Sequence, residues 1–188
     1  MTRVRCAALL VAGLSAACTR GSSPRYALGR AATAAEIAAR DVDVAPDGEG
    51  LPRGSGTVSE GQAVYASKCA VCHGASGEGK PPQYPALVGR DPRAAQFAFG
   101  ADPSLKKTIG DYWPYATTVF DYVRRSMPLP APGSLSSDET YAVTAYLLAA
   151  NAVIPQAARL DSASLVHVKM PSAGRFVRDD RRGGHEVK

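Results

Sequence analysis

The sequence predicts an all-α domain of three main helices, joined by long loops and carried between an N-terminal and a C-terminal arm. Three observations point there. Apolar residues recur at helical spacing in three stretches, each with its own start or stop signals. No segment alternates polar and apolar residues between hairpin turns, as a half-buried strand would. The stretches on either side, rich in Gly, Pro, Ser and charged residues, lack one clean period.

Taken in order, residues 1–17 read as an export signal. Arg3 and Arg5 open it, and Ala7 to Leu14 form an apolar run too short to span a bilayer as a mature helix. Ser15-Ala16-Ala17 then precede Cys18. Two readings stand for Cys18. In one it is the acylated first residue of a lipoprotein, although Ser15 occupies the place where Leu is usual. In the other it is incidental to an ordinary cleavable signal.

Residues 18–56 read as an arm or linker. Within it Thr33 to Arg40 predicts a short helix, with Thr33-x-x-Glu36 as a capping box. The compact domain is expected over 57–155. Its first helix runs from about Glu60 to Ala70, capped by Ser59-x-x-Gln62, with Ala63, Val64 and Tyr65 as apolar surface. The second starts after Trp113, with Pro114 at the favoured first position. It carries Val119, Tyr122 and Val123, and Asp121 and Arg125 stand one turn apart as an ion pair. The third runs from about Asp138 to Ala150. Ser136-x-x-Glu139 caps it, Tyr141, Ala145 and Leu148 share a face, and Pro155 bars continuation. Gly61 and Tyr65 on the first helix can meet Tyr146 on the last. Residues 156–188 read as an extended tail over the domain or over a partner, with a mobile end.

The chain carries a formal +5, which falls to +3 without the two arginines of residues 1–17. Much of the excess sits in the tail, at Arg175, Arg178, Arg181, Arg182 and Lys188. That is a poor basis for a nucleic-acid partner, and none is expected. Cysteines at positions 6, 18, 69 and 72 do not form a disulfide framework, because the first two belong to the signal and its edge. Aromatic residues make up only 7% of the chain. A core so short of large side chains leaves room for another source of cohesion.

Cys69-Ala70-Val71-Cys72-His73 supplies it. Cys-x-x-Cys-His is the attachment pattern of haem c. Two thiols add across the two vinyl groups of one porphyrin edge, and the adjoining histidine is held beneath the iron. Cys69 and Cys72 are therefore the covalent links and His73 the proximal ligand. A half zinc site would need further Cys or His ligands, but only His167 and His185 remain, both in the tail. A redox dithiol would need a βαβ setting, which the sequence lacks.

For the sixth iron position the sequence offers Met127 and Met170, each followed by Pro. Met127 follows the second helix and opens the loop Pro128-Leu129-Pro130-Ala131-Pro132-Gly133 before the capped last helix. Prolines there lower the entropy lost in holding a ligand. Met127 is the expected axial ligand, and Met170 a filler or tail contact. A His/Met pair raises the iron's potential and fills both axial positions, which favours electron transfer over catalysis at the haem. Leu87 is a candidate to pack on the porphyrin, and Tyr112, Trp113, Tyr115 and Arg90 are candidate partners for its carboxylates.

Glu60 to Leu148 resembles a class I cytochrome c in order: first helix, attachment motif, Met loop, terminal helix. More narrowly, Ile109-Gly110-Asp111-Tyr112-Trp113-Pro114-Tyr115-Ala116-Thr117-Thr118 resembles the cytochrome subunits of bacterial sulfite and sulfur dehydrogenases. Phe120 to Pro128, Tyr141 to Leu148 and the lead-in Pro46-Asp47-Gly48 to Pro52 fit the same group. The resemblance implies three helices around one covalently bound haem. It also implies a molybdenum-containing dehydrogenase subunit as electron donor and a cytochrome or terminal oxidase as acceptor. One attachment motif, where the larger sulfur dehydrogenase cytochromes have two haems, points toward the single-haem sulfite dehydrogenase subunit. The expected role is a one-electron carrier in the periplasm. The alternatives are a free carrier to a terminal oxidase, and a haem peroxidase or thiol-oxidising cytochrome, which would need an open sixth position.

Overall fold

The computed structural model describes residues 29–177. The predicted signal, Cys18 and the end of the tail from Arg178 lie outside the described residues. The chain divides into two units after Ala39. In the first, α1 (Ala34–Ala38) is one short helix, capped as expected by Thr33 and Glu36. Arg30 pairs with Glu36 and holds its carboxyl down at about 2.

The second unit holds the remaining elements. Residues 40–54 lead into strand β1 (Ser55–Thr57), which pairs antiparallel with β2 (Arg159–Asp161). This two-stranded ladder is an addition to the helices that the sequence did not signal. Three residues are too few to show alternation, and the partners stand about a hundred residues apart. The ladder has a local consequence. Thr57, paired with Arg159, is held extended and becomes the cap of helix α2 (Val58–Lys68). Its hydroxyl accepts from the Glu60 amide, and the Glu60 carboxylate accepts from the Thr57 amide at 2.7 Å. The helix thus starts two residues before the expected Ser59 box, and buries Val58.

After Cys69 a single turn, α3 (Ala70–His73), carries the motif. A second single turn, α4 (Ile109–Tyr112), precedes α5 (Ala116–Ser126). Pro114 does not begin α5. A residue before proline is pushed out of the helical region, so Trp113 is extended and ends α4, while Tyr115 is the extended cap of α5. Pro114 punctuates two helices. The last long helix, α6 (Ser137–Ala150), begins at the expected Ser136–Glu139 capping box.

Helix α6 is the axis of the core. Tyr141, Ala145 and Leu148 are buried as expected, but so are Ala142, Val143, Thr144, Leu147 and Ala149 on other faces. The reason is that α6 packs against α2, α4, α5 and both strands. Its crossing with α2 is close. A Cβ on Gly61 would fall 1.8 Å from the Ala142 carbonyl oxygen, so only glycine fits. Tyr65 and Tyr146 meet beside it with centroids 5.0 Å apart.

The segments flanking the three helices share this core. Val44 is buried, and its amide donates to Asp121 at 2.8 Å. Asp121 also accepts from Arg125. The expected pair within α5 is therefore part of a clamp on the chain before β1. Beyond α6, Leu160, Leu165 (on the turn α7, Ser162–Leu165) and Met170 are buried in the same cluster. Ser172 donates to the Trp113 carbonyl at 2.7 Å. The described part of the tail lies on the domain. Among the described residues, no helix is long and apolar enough to cross a membrane.

Candidate haem site

The site begins at the end of α2. Cys69 closes that helix, its amide bonded to the Tyr65 carbonyl, and its own carbonyl accepts from both Cys72 and His73. That turn brings Cys69, Cys72 and His73 onto one short piece of chain. The two thiols are not joined to each other. Burial pushes the Cys69 thiol up to about 11, with Lys68 opposing that rise.

The loop that follows is folded back on the motif by backbone bonds. Gly79 donates to the His73 carbonyl at 2.8 Å, and Leu87 and Val88 both donate to the Gly77 carbonyl. Gly79 has φ +79, and a Cβ there would lie 2.5 Å from the Ala86 amide nitrogen. A side chain would prise the loop open. The Tyr65 hydroxyl donates to the Gly74 carbonyl at 2.8 Å and ties the loop to α2. Burial raises the pKa of that phenol far above its ordinary value, so it stays a donor.

This fold-back places the Pro85 carbonyl 3.1 Å from His73 Nδ1. A histidine that donates from Nδ1 has its tautomer and ring orientation set, and keeps Nε2 for a metal. Of this segment the sequence singles out Leu87, and for packing. The orienting role of Pro85 was missed, because nothing local in a sequence says which carbonyl a loop will aim at a ring twelve residues away.

Met127 is brought in by a separate element. It caps the C-terminus of α5, its amide donating to the Val123 carbonyl at 3.1 Å. Its extended backbone turns the chain into Pro128–Pro130, with a backbone bond from Ala131 to Pro128. Buried Leu135 then leads into α6.

Cys69, Cys72, His73 and Met127 all line one cavity of about 620 Å³. Its size is within the ~300–1,000 Å³ typical of cofactor sites. Val119 and Val123 of α5, Val143 and Leu147 of α6, and Leu87 and Ile109 make the remaining wall largely apolar. Such walls fit the faces of a porphyrin, with two thiols and an oriented imidazole carried on one turn of chain and a thioether from a separate loop. Met170 is not on this wall but in the core, as expected of filler. Among the described residues no three His, Cys, Asp or Glu side chains gather as a metal-binding group.

The weaker candidates divide. Leu87, Tyr112 and Trp113 line the cavity. Arg90 does not. It pairs with buried Asp111 at 2.9 Å and reaches the Asn151 carbonyl. It borders a smaller cleft of about 290 Å³ with Phe97 and Arg175. Asp111 claimed it, and no local pattern announced that pairing across twenty residues. Tyr115 is likewise absent from the large cavity's lining.

Comparison with known proteins gives three findings. The profile of the family described as Cytochrome c matches residues 58–151. Two thiosulfate dehydrogenases are similar: that of Stutzerimonas stutzeri (strain A1501) at 32% identity over 100 residues, and that of Psychrobacter arcticus at 30% over 112. Those alignments take in 51% and 55% of this chain, but only 28% and 30% of the relatives, so the chain spans under a third of their length. A solved structure, the sulfane dehydrogenase SoxCD from Paracoccus pantotrophus, superposes with a TM-score of 0.71 at 44% identity, covering 84% of this chain and 74% of that one. The residues matched by the family profile span half the chain and include the attachment motif, Met127 and the whole α2–α6 pair, and the chain belongs to the cytochrome c family, whose members bind haem c covalently.

Proposed function

We propose that the chain binds one haem c through Cys69 and Cys72, holds its iron between His73 and Met127, and passes single electrons in a sulfur-oxidising system. The observation that carries this reading is the convergence of those four side chains on one apolar cavity. Haem iron supplies reversible one-electron chemistry there. The chain's own residues do the rest. Pro85 fixes the imidazole, the loop after Met127 holds the thioether, and the apolar wall keeps water from the metal. Were His73 and Met127 both to hold the iron, no place would be left there for substrate, and the chain would relay electrons rather than transform a sulfur compound itself.

The electron donor in this reading is a molybdenum-containing dehydrogenase subunit acting on sulfite or a related sulfur compound. The acceptor is a cytochrome or terminal oxidase. Likeness to a sulfane dehydrogenase over 84% of the chain supports the sulfur assignment. We further read residues 1–17 as directing export to the periplasm, and in the lipoprotein reading Cys18 is the site of lipid attachment. The thiosulfate dehydrogenase relatives favour a second reading, in which the haem domain acts on thiosulfate within a larger assembly.

The optical spectrum tests the ligand set. Met–iron bonding gives the oxidised protein a weak red band, and Met127→Ala is expected to abolish it. A band that survives in Met127→Ala would overturn that ligand. The donor is tested by mixing the oxidised protein with the candidate molybdenum subunit and sulfite. Rapid haem reduction is expected, and no reduction would count against the partner. Reduction by thiosulfate alone would favour the second reading.

A further inference from the structure

The cavity wall holds two lysines, Lys68 and Lys107. Lys68 is committed, because its ammonium bonds Glu139 at 2.9 Å. Arg90, the cation that seemed available from the sequence, is turned away into its pair with Asp111. Lys107 is different. It is exposed at the rim, and it enters no ion pair among the described residues.

Its position is nevertheless fixed. The next residue, Thr108, donates from its hydroxyl to the Gly89 carbonyl at 2.8 Å, and Ile109 donates to the Leu87 carbonyl. The segment is thereby pinned to one stretch of loop, Leu87 to Gly89. The Lys107 ammonium stands 5.2 Å from the centroid of the Tyr112 ring, a cation–π distance. Tyr112 is held in turn. It stacks parallel on Phe97 at 5.7 Å and meets Phe99 and Phe176 edge-on at 5.1 and 5.7 Å. Three rings from two other segments, Phe97 with Phe99 and Phe176, thus steady the ring that steadies the charge. A cation placed this way at the mouth of an apolar cavity, with no anion of its own, fits a ligand that carries carboxylates.

From this we propose that Lys107 is the positive charge that holds a carboxylate of the bound haem, and that it raises the potential of the iron. The proposal rests on the reading that haem c occupies the cavity. A nearby positive charge disfavours the oxidised iron, so removing it lowers the midpoint potential.

The test is redox titration of the haem-loaded chain with Lys107→Gln, Lys107→Arg and Lys106→Gln. Lys106 is the exposed neighbour, absent from the cavity wall, and its substitution removes the same formal charge. Lys107→Gln should shift the equilibrium against a fixed redox mediator roughly threefold or more toward the oxidised form. Lys106→Gln should leave it near wild type, and Lys107→Arg should restore it. Equal effects from Lys107→Gln and Lys106→Gln would overturn the proposal, as would no effect from Lys107→Gln or failure of Lys107→Arg to rescue. In each of those cases an unchanged haem c spectrum shows that the haem reading survives. A wild-type chain without a haem c spectrum would overturn both.

Discussion

Helices α2 and α6 build two regions of this molecule in opposite ways. Where they cross, Gly61 sits on the backbone of Ala142 and no side chain fits between them. One face further round, Tyr65 and Lys68 of α2 and Val143 and Leu147 of α6 stand around a 620 Å³ cavity. The crossing is complete with protein atoms alone. The cavity is walled by largely apolar side chains from both helices and from the loops between them. Close packing fixes α2 and α6 where they touch, and the loop stretches 83–87, 107–113 and 127–130 line the remainder.

Substitutions can break that contrast in graded steps. Gly61→Val should have the largest effect. Its Cβ would collide with backbone atoms that no rotamer change can move, so a loss of about 3 kcal/mol or more is expected. Urea unfolding would measure it, and a near-wild-type midpoint would show that the helices can part without harm. Next comes Asp121→Ala. It strands the buried Val44 amide and takes the carboxylate partner from the half-exposed Arg125 guanidinium, for a loss of about 2 kcal/mol. Protection of the Val44 amide from hydrogen exchange should fall with it. Met127→Ala, on the cavity wall, should change the spectrum strongly while costing less stability than Gly61→Val. The reverse order would mean that the cavity wall, not the crossing, holds the fold.

The smallest effect is one of pH. Lys68, and then the Ser136 amide, hold the Glu139 carboxyl below its ordinary value. A carboxyl lower in the folded than in the unfolded chain binds fewer protons when folded. Its stabilisation is therefore complete above the unfolded pKa of ~4.3 and is lost as pH falls through the folded value. The group is partly exposed, so the effect is expected at a few tenths of a kcal/mol. Glu139→Gln should flatten the acid limb of thermal stability between roughly pH 3 and 5 and change little at neutrality. An unaltered acid limb would remove Glu139 from the account.

Much of the site was readable because its signals are local. Cys69 to His73 are consecutive, and the Met127 loop announces itself by its prolines. The Ser136–Glu139 box lies within one turn, and the Gly61–Tyr146 crossing follows from small and aromatic residues on two periodic helices. The misses share a different cause. Thr57 displaced Ser59 as the cap because β1 pairs with β2 across the chain. Pro114 ended one helix rather than starting another, since α4 was too short to show a period. Arg90 went to Asp111, and Pro85 aimed its carbonyl at His73.

The sequence by itself determined the family's covalent chemistry, the main helices and the loop that presents Met127. Each is encoded in neighbouring residues, whose geometry is set within a turn or two of backbone. Only the tertiary structure decided which carbonyl orients the imidazole, which cation is left facing the cavity, and how the flanking segments close the core. Those outcomes come from competition among partners distant in sequence. Burial and backbone pairing settle that competition, and they exist only once the chain has folded.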